Sequence, residues 1–219
     1  VVTLQSQPVP VVSSLTGRTT ASLSAEVRPQ VGGIVQKRLF TEGDMVKAGQ
    51  ALYQIDPSSY RATFNEAAAS LKQAQALVVS DCQKAQRYAS LVRDNGVSRQ
   101  DADDAASTCA QDKASVESKK AALESARINL NWTTVTAPIA GRIGISSVTP
   151  GALVTAQQDT ALATIRGLDS MYVDLTRSSA DLLRLRKQTL ASNSDTLNVS
   201  LILEDGSSYS EKGHLALTE

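Results

Sequence analysis

Two cysteines are the residues of this chain whose type and number point most directly to covalent chemistry. Cys82 and Cys109 are the only thiols among 219 residues, and in an oxidising compartment they can pair as a disulfide. In the chain-entropy model, a bond that closes a loop of this size contributes about 3–4 kcal/mol to stability. Two reduced cysteines that pack as small apolar residues, or that bind a soft metal ion, are the alternatives.

Acid–base chemistry finds little support in the sequence. His214 is the only imidazole and lies near the C-terminus, and no Ser, Asp or Lys stands beside a base on a recognisable catalytic loop. The chain carries 22 Lys and Arg against 22 Asp and Glu, so it lacks the basic surplus of a nucleic-acid-binding protein. We therefore predict no catalytic residue, no metal ligand, no cofactor and no nucleic-acid partner.

Glycine and proline are distributed so unevenly that they define a helical segment. All six prolines lie outside residues 58–137, and Gly96 is the only glycine inside that interval. Small and apolar residues recur every seven positions on both sides of Gly96, which indicates a coiled-coil seam. These residues are Leu71, Val78, Ala85 and Val92, followed by Ala102, Cys109, Val116, Leu123 and Leu130. We predict an antiparallel hairpin over residues 58–130, with a turn near 94–97 and arms of about 50 Å.

The register of this hairpin can be tested, because facing residues in two antiparallel helices have numbers that add up to a constant. If Cys82 faces Cys109, the turn is centred between Asn95 and Gly96, where the turn residues already place it. We therefore prefer the disulfide over two free thiols. The same register pairs Gln75 with Val116, so it is approximate to within a residue or two.

The segments on either side of the hairpin resemble each other. The step from Gly33 to Gly43 equals the step from Gly141 to Gly151, and matching hydrophobic residues follow in both segments. Together with Gly96, these glycines are expected to serve tight turns rather than phosphate binding. Residues 25–57 and 131–168 are thus predicted as two halves of one pseudo-symmetric β-sandwich. This pattern resembles the biotinyl/lipoyl domain, although the lysine-centred turn of carrier domains is absent.

The two ends of the chain are predicted to form a third module. Residues 1–24 and 169–219 have the strand and turn patterns of a β-barrel, with a short helix over 178–187. Because the barrel pattern breaks off at the end of the chain, we expect this module to be incomplete.

Several segments, read in chain order, resemble the periplasmic adaptors, or membrane fusion proteins, of tripartite multidrug efflux pumps of the resistance–nodulation–division (RND) type. The segments that carry this resemblance are Leu15–Thr19, Ala25–Val31, Leu52–Pro57, Ala126–Leu130, Pro138–Gly144, Gly151–Val154 and Tyr172–Asp174. They cover most of the chain. The cysteine pair is not part of the family pattern and suggests a separate branch.

The resemblance implies an elongated α+β protein: a long helical hairpin inserted in a split lipoyl-like sandwich, with a partial β-barrel. It also implies a non-enzymatic role in which the adaptor joins an inner-membrane RND transporter to a TolC-like outer-membrane channel. Adaptors of this family assemble as a ring, here expected to contain six copies. We further expect a periplasmic location in a Gram-negative bacterium, a missing membrane-proximal domain, and attachment to the inner membrane through a missing N-terminal segment.

Three residues of the predicted tip match the family's channel-docking pattern, an Arg, three residues, a Leu, six residues and a Ser. They are Arg87, Leu91 and Ser98. Each also has a simpler interpretation, because Ser98 can cap the second helix, Leu91 can pack in the seam and Arg87 can be a solvated charge. The alternative functions are an adaptor for metal efflux or for ATP-driven export, and, from a different class, a biotinyl or lipoyl carrier domain.

Overall fold

The computed structural model describes residues 14–94, 96–175 and 198–214. The chain divides into two compact units, one of residues 21–171 and the other of residues 1–20 and 172–219. The first unit contains a β-sandwich and two long helices. The predicted helix over 178–187 lies outside the described residues.

The sandwich consists of two four-stranded sheets. One has the strand order β2 (Ser24–Val27), β9 (Ala163–Arg166), β7 (Gly141–Ile143) and β4 (Met45–Val46). The other has the order β6 (Thr134–Thr136), β5 (Ala51–Ile55), β3 (Gly33–Arg38) and β8 (Leu153–Val154). Aliphatic side chains from both sheets form the core between them, which is consistent with the low aromatic content of 4%. The most deeply buried side chains are Val35, Leu52, Tyr53, Ile55, Ile143, Val154, Leu162 and Ile165.

The backbone repeats as the sequence does. Gly33 and Gly141 both have a φ of +155°, while Gly43 and Gly151 have φ values of +85° and +93°. β4 of the first half pairs with β7 of the second, and in the same way β8 of the second half pairs with β3 of the first. The two half-motifs therefore close around one core.

Two 34-residue helices, α1 (Ser58–Leu91) and α2 (Arg99–Trp132), form the hairpin between the half-motifs. At 1.5 Å per residue, each is about 51 Å long. α2 ends two residues beyond the predicted limit of 130. At the start of α1, the Asp56 carboxylate accepts hydrogen bonds from the backbone N–H and the hydroxyl of Ser58, and these bonds lower the pKa of Asp56. Neither helix has the length of apolar sequence that crossing a bilayer requires.

The seam of the hairpin agrees with the predicted heptads and corrects the predicted register. The apolar positions named from the sequence are buried or half-buried, and Val116 and Cys109 are among the most buried residues of α2. On α1, however, Ala74 is buried and Gln75 is exposed. Ala74 is therefore the seam residue, and Gln75, the predicted partner of Val116, lies outside the seam.

The second unit contains two small two-stranded sheets among its described residues. In one, β1 (Gly17–Ala21) lies beside β10 (Met171–Leu175), and the Thr20 hydroxyl donates to Asp174 Oδ2 at 3.3 Å. In the other, β11 (Asn198–Ile202) pairs antiparallel with β12 (Ser208–His214) across a turn at residues 203–207. The architecture confirms the predicted α+β fold class, with a helical hairpin, a sandwich and a partial barrel.

Gly141 tests how closely the strands β7 and β9 of the second half-motif approach each other. A Cβ atom at this position would lie 2.3 Å from the carbonyl oxygen of Arg166 on the neighbouring strand. We expect Gly141→Ala to lower the free energy of unfolding by about 3 kcal/mol, the upper part of the range for overpacked sites. Chemical denaturation would measure the loss.

The matched control is Gly49→Ala, because Gly49 also has a positive φ, +80°, but a Cβ atom there would have no neighbouring atom within 4 Å. Its cost should be about 1 kcal/mol, from backbone conformation alone. Equal losses at Gly49 and Gly141 would contradict the close approach of the two strands.

Candidate functional site

The outer end of the hairpin is closed by backbone hydrogen bonds. The Leu91 carbonyl, at the end of α1, accepts hydrogen bonds from the N–H groups of Asp94 at 3.1 Å and of Gly96 at 2.9 Å. The Val92 N–H donates to the carbonyl of Tyr88 at 3.0 Å. The carbonyl groups that a helix leaves without partners at its end are thus partly satisfied within the turn.

Ser98 is the N-cap of α2. Its Oγ accepts a hydrogen bond from the Asp101 N–H at 3.1 Å and donates one to Asp101 Oδ2 at 2.6 Å. Serine and aspartate at this spacing satisfy one free N–H group and place a negative charge at the positive end of the helix dipole. The capping interpretation of Ser98 is confirmed, and its hydroxyl is on the exposed surface of the tip.

Arg87 and Leu91 are one helical turn apart on the exposed side of α1. Leu91 is 41% exposed, whereas its neighbour Val92 is half-buried in the seam, so Leu91 does not pack between the helices. The exposed Arg87 guanidinium belongs to none of the salt bridges found among the described residues. Together, a free guanidinium and an apolar side chain provide a binding surface that can donate hydrogen bonds and fill a pocket. They provide no nucleophile or base.

Cys82 and Cys109 lie farther down the hairpin and are joined through their sulfur atoms, with a Cα–Cα distance of 4.8 Å. Cys109 is a buried seam residue, and Cys82 is half-buried beside the seam. No free thiol remains in the described part of the chain. The bond links the two arms between their base and the tip.

The sandwich holds one further polar group of note, the buried hydroxyl of Tyr53. It donates to the Leu162 carbonyl at 3.0 Å and is 2.7 Å from Ser146 Oγ. Burial raises the pKa of Tyr53. With these partners the hydroxyl is satisfied, so its role is to fix the core rather than to react. Within the described ranges, no three His, Cys, Asp or Glu side chains converge as metal ligands.

One ionisable pair, Asp81 and Asp112, was not predicted from the sequence. Both aspartates lie on the seam, where the heptad pattern predicts small or apolar residues and no charge. The signal was nonetheless present, since each lies seven residues after a buried alanine, Ala74 or Ala105.

Comparison with known proteins extends over the whole chain. Residues 23–166 match the family model for the barrel-sandwich hybrid domain of RND membrane fusion proteins. Residues 170–219 match the model for the β-barrel domain of the same proteins. The two matches follow each other in the order of the two β-rich modules.

Curated relatives match at 46–48% identity. Multidrug resistance protein MexA of Pseudomonas aeruginosa is 48% identical over 224 residues, which cover 100% of this chain and 55% of MexA. Multidrug efflux pump subunit AcrA of Escherichia coli is 46% identical, covering 100% of this chain and 56% of AcrA. The toluene efflux pump periplasmic linker protein TtgA of Pseudomonas putida is 47% identical, with coverage of 100% and 55%. The chain thus spans a little over half the length of these relatives.

Solved structures share the fold. A MacA–MexA chimeric protein that contains the MexA α-hairpin aligns with a TM-score of 0.58 and 29% identity, covering 92% of this chain and 62% of the chimera. The membrane fusion protein Spr0693 of Streptococcus pneumoniae aligns with a TM-score of 0.67 and 20% identity, covering 90% and 81%. At that identity, Spr0693 supports the fold alone.

The cap gives the first prediction for the tip. Ser98→Ala should lower the free energy of unfolding by about 1 kcal/mol, because the Asp101 N–H loses its acceptor. Ser98→Asn, which can accept the same bond, should be close to wild type. Ser115→Ala, at an exposed site in the middle of α2, is the control for helix propensity. Denaturant unfolding would measure all three, and a Ser98→Asn variant as unstable as Ser98→Ala would contradict the capping role.

The disulfide gives the second prediction. Replacing both Cys82 and Cys109 by alanine should lower the free energy of unfolding by about 3 kcal/mol, because the unfolded chain regains the entropy of an open loop. Wild-type protein kept under reducing conditions should behave as the double variant does. Identical unfolding curves for the oxidised and reduced wild type would show that the bond contributes nothing.

Proposed function

The chain belongs to the RND membrane fusion protein family, and from this membership we propose that it is part of a periplasmic adaptor for multidrug efflux. In this role it links an inner-membrane RND transporter to a TolC-like outer-membrane channel. The observation that carries the proposal is the identity of 46–48%, over the full chain, with relatives named as subunits or linkers of multidrug efflux systems. Metal-efflux and ATP-driven adaptors have no comparable support among these relatives.

The function of such an adaptor is mechanical. A hairpin about 51 Å long can reach from the sandwich towards a distant partner, and the seam and the Cys82–Cys109 disulfide together hold the two helices side by side. The sandwich is then a platform for contacts with other copies of the chain in a ring, proposed to contain six. Energy for transport would come from the transporter, and we assign no catalytic step to this chain.

Two observations support a proposal for the cellular compartment of the protein, namely the disulfide and the name of one relative. A disulfide persists in an oxidising environment such as the bacterial periplasm, and TtgA is named as a periplasmic linker. We propose that this protein resides in the periplasm, attached to the inner membrane.

The carrier-domain alternative fits the structure poorly. In a biotinyl or lipoyl carrier, a tight turn with a modifiable lysine joins the two half-motifs. Here β5 leads through Asp56 and Pro57 into α1, and α2 returns to β6, so the hairpin occupies the place of that turn. The connection supports a docking function instead of a swinging arm.

The docking surface is proposed to comprise Arg87, Leu91 and Ser98 at the hairpin tip. Leu91 lies beside Gly96 at the turn and still leaves 41% of its surface exposed, and Arg87 leaves its guanidinium free for a carboxylate or carbonyl of a partner. Arg is enriched among the residues that dominate the energy of protein interfaces, and burial of an apolar side chain such as Leu91 adds favourable transfer energy. Ser98 contributes its hydroxyl while it caps α2.

This assignment predicts that Leu91→Asp and Arg87→Asp abolish function without unfolding the protein. A carboxylate at position 91 would lose its hydration against the partner and would compete with the partner for the Arg87 guanidinium one turn away, so binding to the channel should weaken at least about tenfold. The measurement is the drug resistance of cells that lack their own adaptor and express the full-length variant with its transporter and channel.

Leu77→Asp is the matched control. Leu77 is 48% exposed, lies on the same face of α1 and is two heptads, about 21 Å, farther from the tip. It should retain resistance. Circular dichroism must show unchanged helix content in all three variants. Full resistance in a folded Leu91→Asp variant would rule out the tip as the docking surface, while the family membership would stand.

A further inference from the structure

Two aspartates interrupt the seam of the hairpin. Asp81 on α1 and Asp112 on α2 each continue a seven-residue row that includes a buried alanine, and both are half-buried. Apolar or small residues fill most of the other seam positions. Charged groups at such positions lose part of their hydration when the helices pack, which is costly without a partner of opposite charge or a hydrogen-bond donor.

The two carboxyl groups meet beside the disulfide. Asp81 directly precedes Cys82, and Asp112 lies nearly one turn after Cys109 on the antiparallel helix, so the bonded cysteines bring the two aspartates together. The Asp112 side chain is close enough to that of Asp81 for a hydrogen bond. Such a bond needs a proton, because ionised carboxylates are acceptors only. Consistently, Asp112 Oδ2 is buried and has no donor among the described residues.

No cation among the described residues compensates the pair. Within four residues of either aspartate, the only charged side chains are Lys84 on α1 and Lys113 on α2, both exposed. The Lys84 ammonium lies 5.5 Å from the ring centre of Tyr88, and neither lysine belongs to the four salt bridges found in the described ranges. The Ser80 hydroxyl donates to Asp81 Oδ1 at 3.3 Å, which leaves Asp112 without a comparable partner.

We propose that Asp81 and Asp112, together with the adjacent Cys82–Cys109 disulfide, form a pH-responsive clasp in the hairpin. When both carboxyl groups are ionised they repel each other across the seam, and the disulfide holds the helices together at that level. When one proton is taken up, it is shared as a hydrogen bond between Asp112 and Asp81. The seam is then closed by both the covalent bond and the hydrogen bond. This inference does not depend on the proposed function.

The direction of the pH effect follows from linkage. Burial first, then hydrogen bonding and charge repulsion from Asp81, raises the pKa of Asp112 above its ordinary value of 3.8. The folded chain therefore takes up the proton at a higher pH than the unfolded chain does. Lowering the pH through the folded pKa stabilises the hairpin, and raising the pH above it removes that stabilisation.

Thermal unfolding of the full-length protein, followed by far-UV circular dichroism over a range of pH, tests the proposal. Asp112→Asn places an amide donor opposite the Asp81 carboxylate at every pH. The variant should melt a few degrees above wild type at neutral pH, and the difference should shrink as the pH falls through the pKa of Asp112. Asp103→Asn, at an exposed site on the same helix, should give a difference that varies little with pH.

The role of the disulfide is tested by hydrogen exchange in the reduced protein. After correction for intrinsic exchange, amides of α1 and α2 around the pair should be less protected at neutral than at acidic pH, and Asp112→Asn should abolish this dependence. In the oxidised protein the dependence should be much weaker. Any of three results would overturn the proposal. The first is a difference in melting temperature between Asp112→Asn and wild type that is constant with pH. The others are an Asp112→Asn variant less stable than wild type at neutral pH, and equal exchange in the oxidised and the reduced protein.

Discussion

The pairing of β5 with β6 is the constraint on which the rest of the molecule depends. These strands lead into and out of the hairpin, with Tyr53 opposite Val135 and the Ile55 N–H bonded to the Thr133 carbonyl at 2.7 Å. Paired strands lie about 4.8 Å apart, whereas packed helices are separated by about 8–10 Å. The sheet therefore holds the ends of α1 and α2 together independently of the contacts along the helices. The same strands also bury side chains in the core of the sandwich.

From that base, small residues determine how the hairpin continues. Ala74, Ala105 and Ala126 are buried in the seam, and their short side chains allow the two helices to approach closely. Because these side chains are small, however, they bury little apolar area. A seam of this kind contributes little stability per turn. The restraint supplied by the sheet also weakens with distance, so other features must keep the arms together towards the tip.

The sequence predicts much of this architecture because its strongest signals are local. The absence of proline and the single Gly96 define the hairpin, and the matched glycine spacings indicate the split sandwich. The finer details depend on the facing helix. A seven-residue pattern cannot choose between Ala74 and Gln75 until the phase of α2 is known. The partnership of Asp81 with Asp112 likewise exists only after the arms pack. At the tip, the cap of Ser98 could be predicted from local spacing, whereas the exposure of Leu91 required the position of its neighbour Val92 relative to the seam.

The location of the disulfide is explained by the restraint that the sheet imposes on the hairpin and by the loss of that restraint with distance. Cys82 lies 24 residues into a 34-residue helix that starts at Ser58, about 36 Å from the end that the sheet already fixes. A cross-link near that base would restrain atoms that the pairing of β5 with β6 restrains in any case. Placed in the outer third of the hairpin, it opposes separation of the arms where the seam contains two carboxylates and the sheet has least influence. The last helical turn of α1, which displays Arg87 and Leu91, lies just beyond the disulfide. The geometry of the proposed docking surface therefore depends on a bond that contributes no atom to that surface.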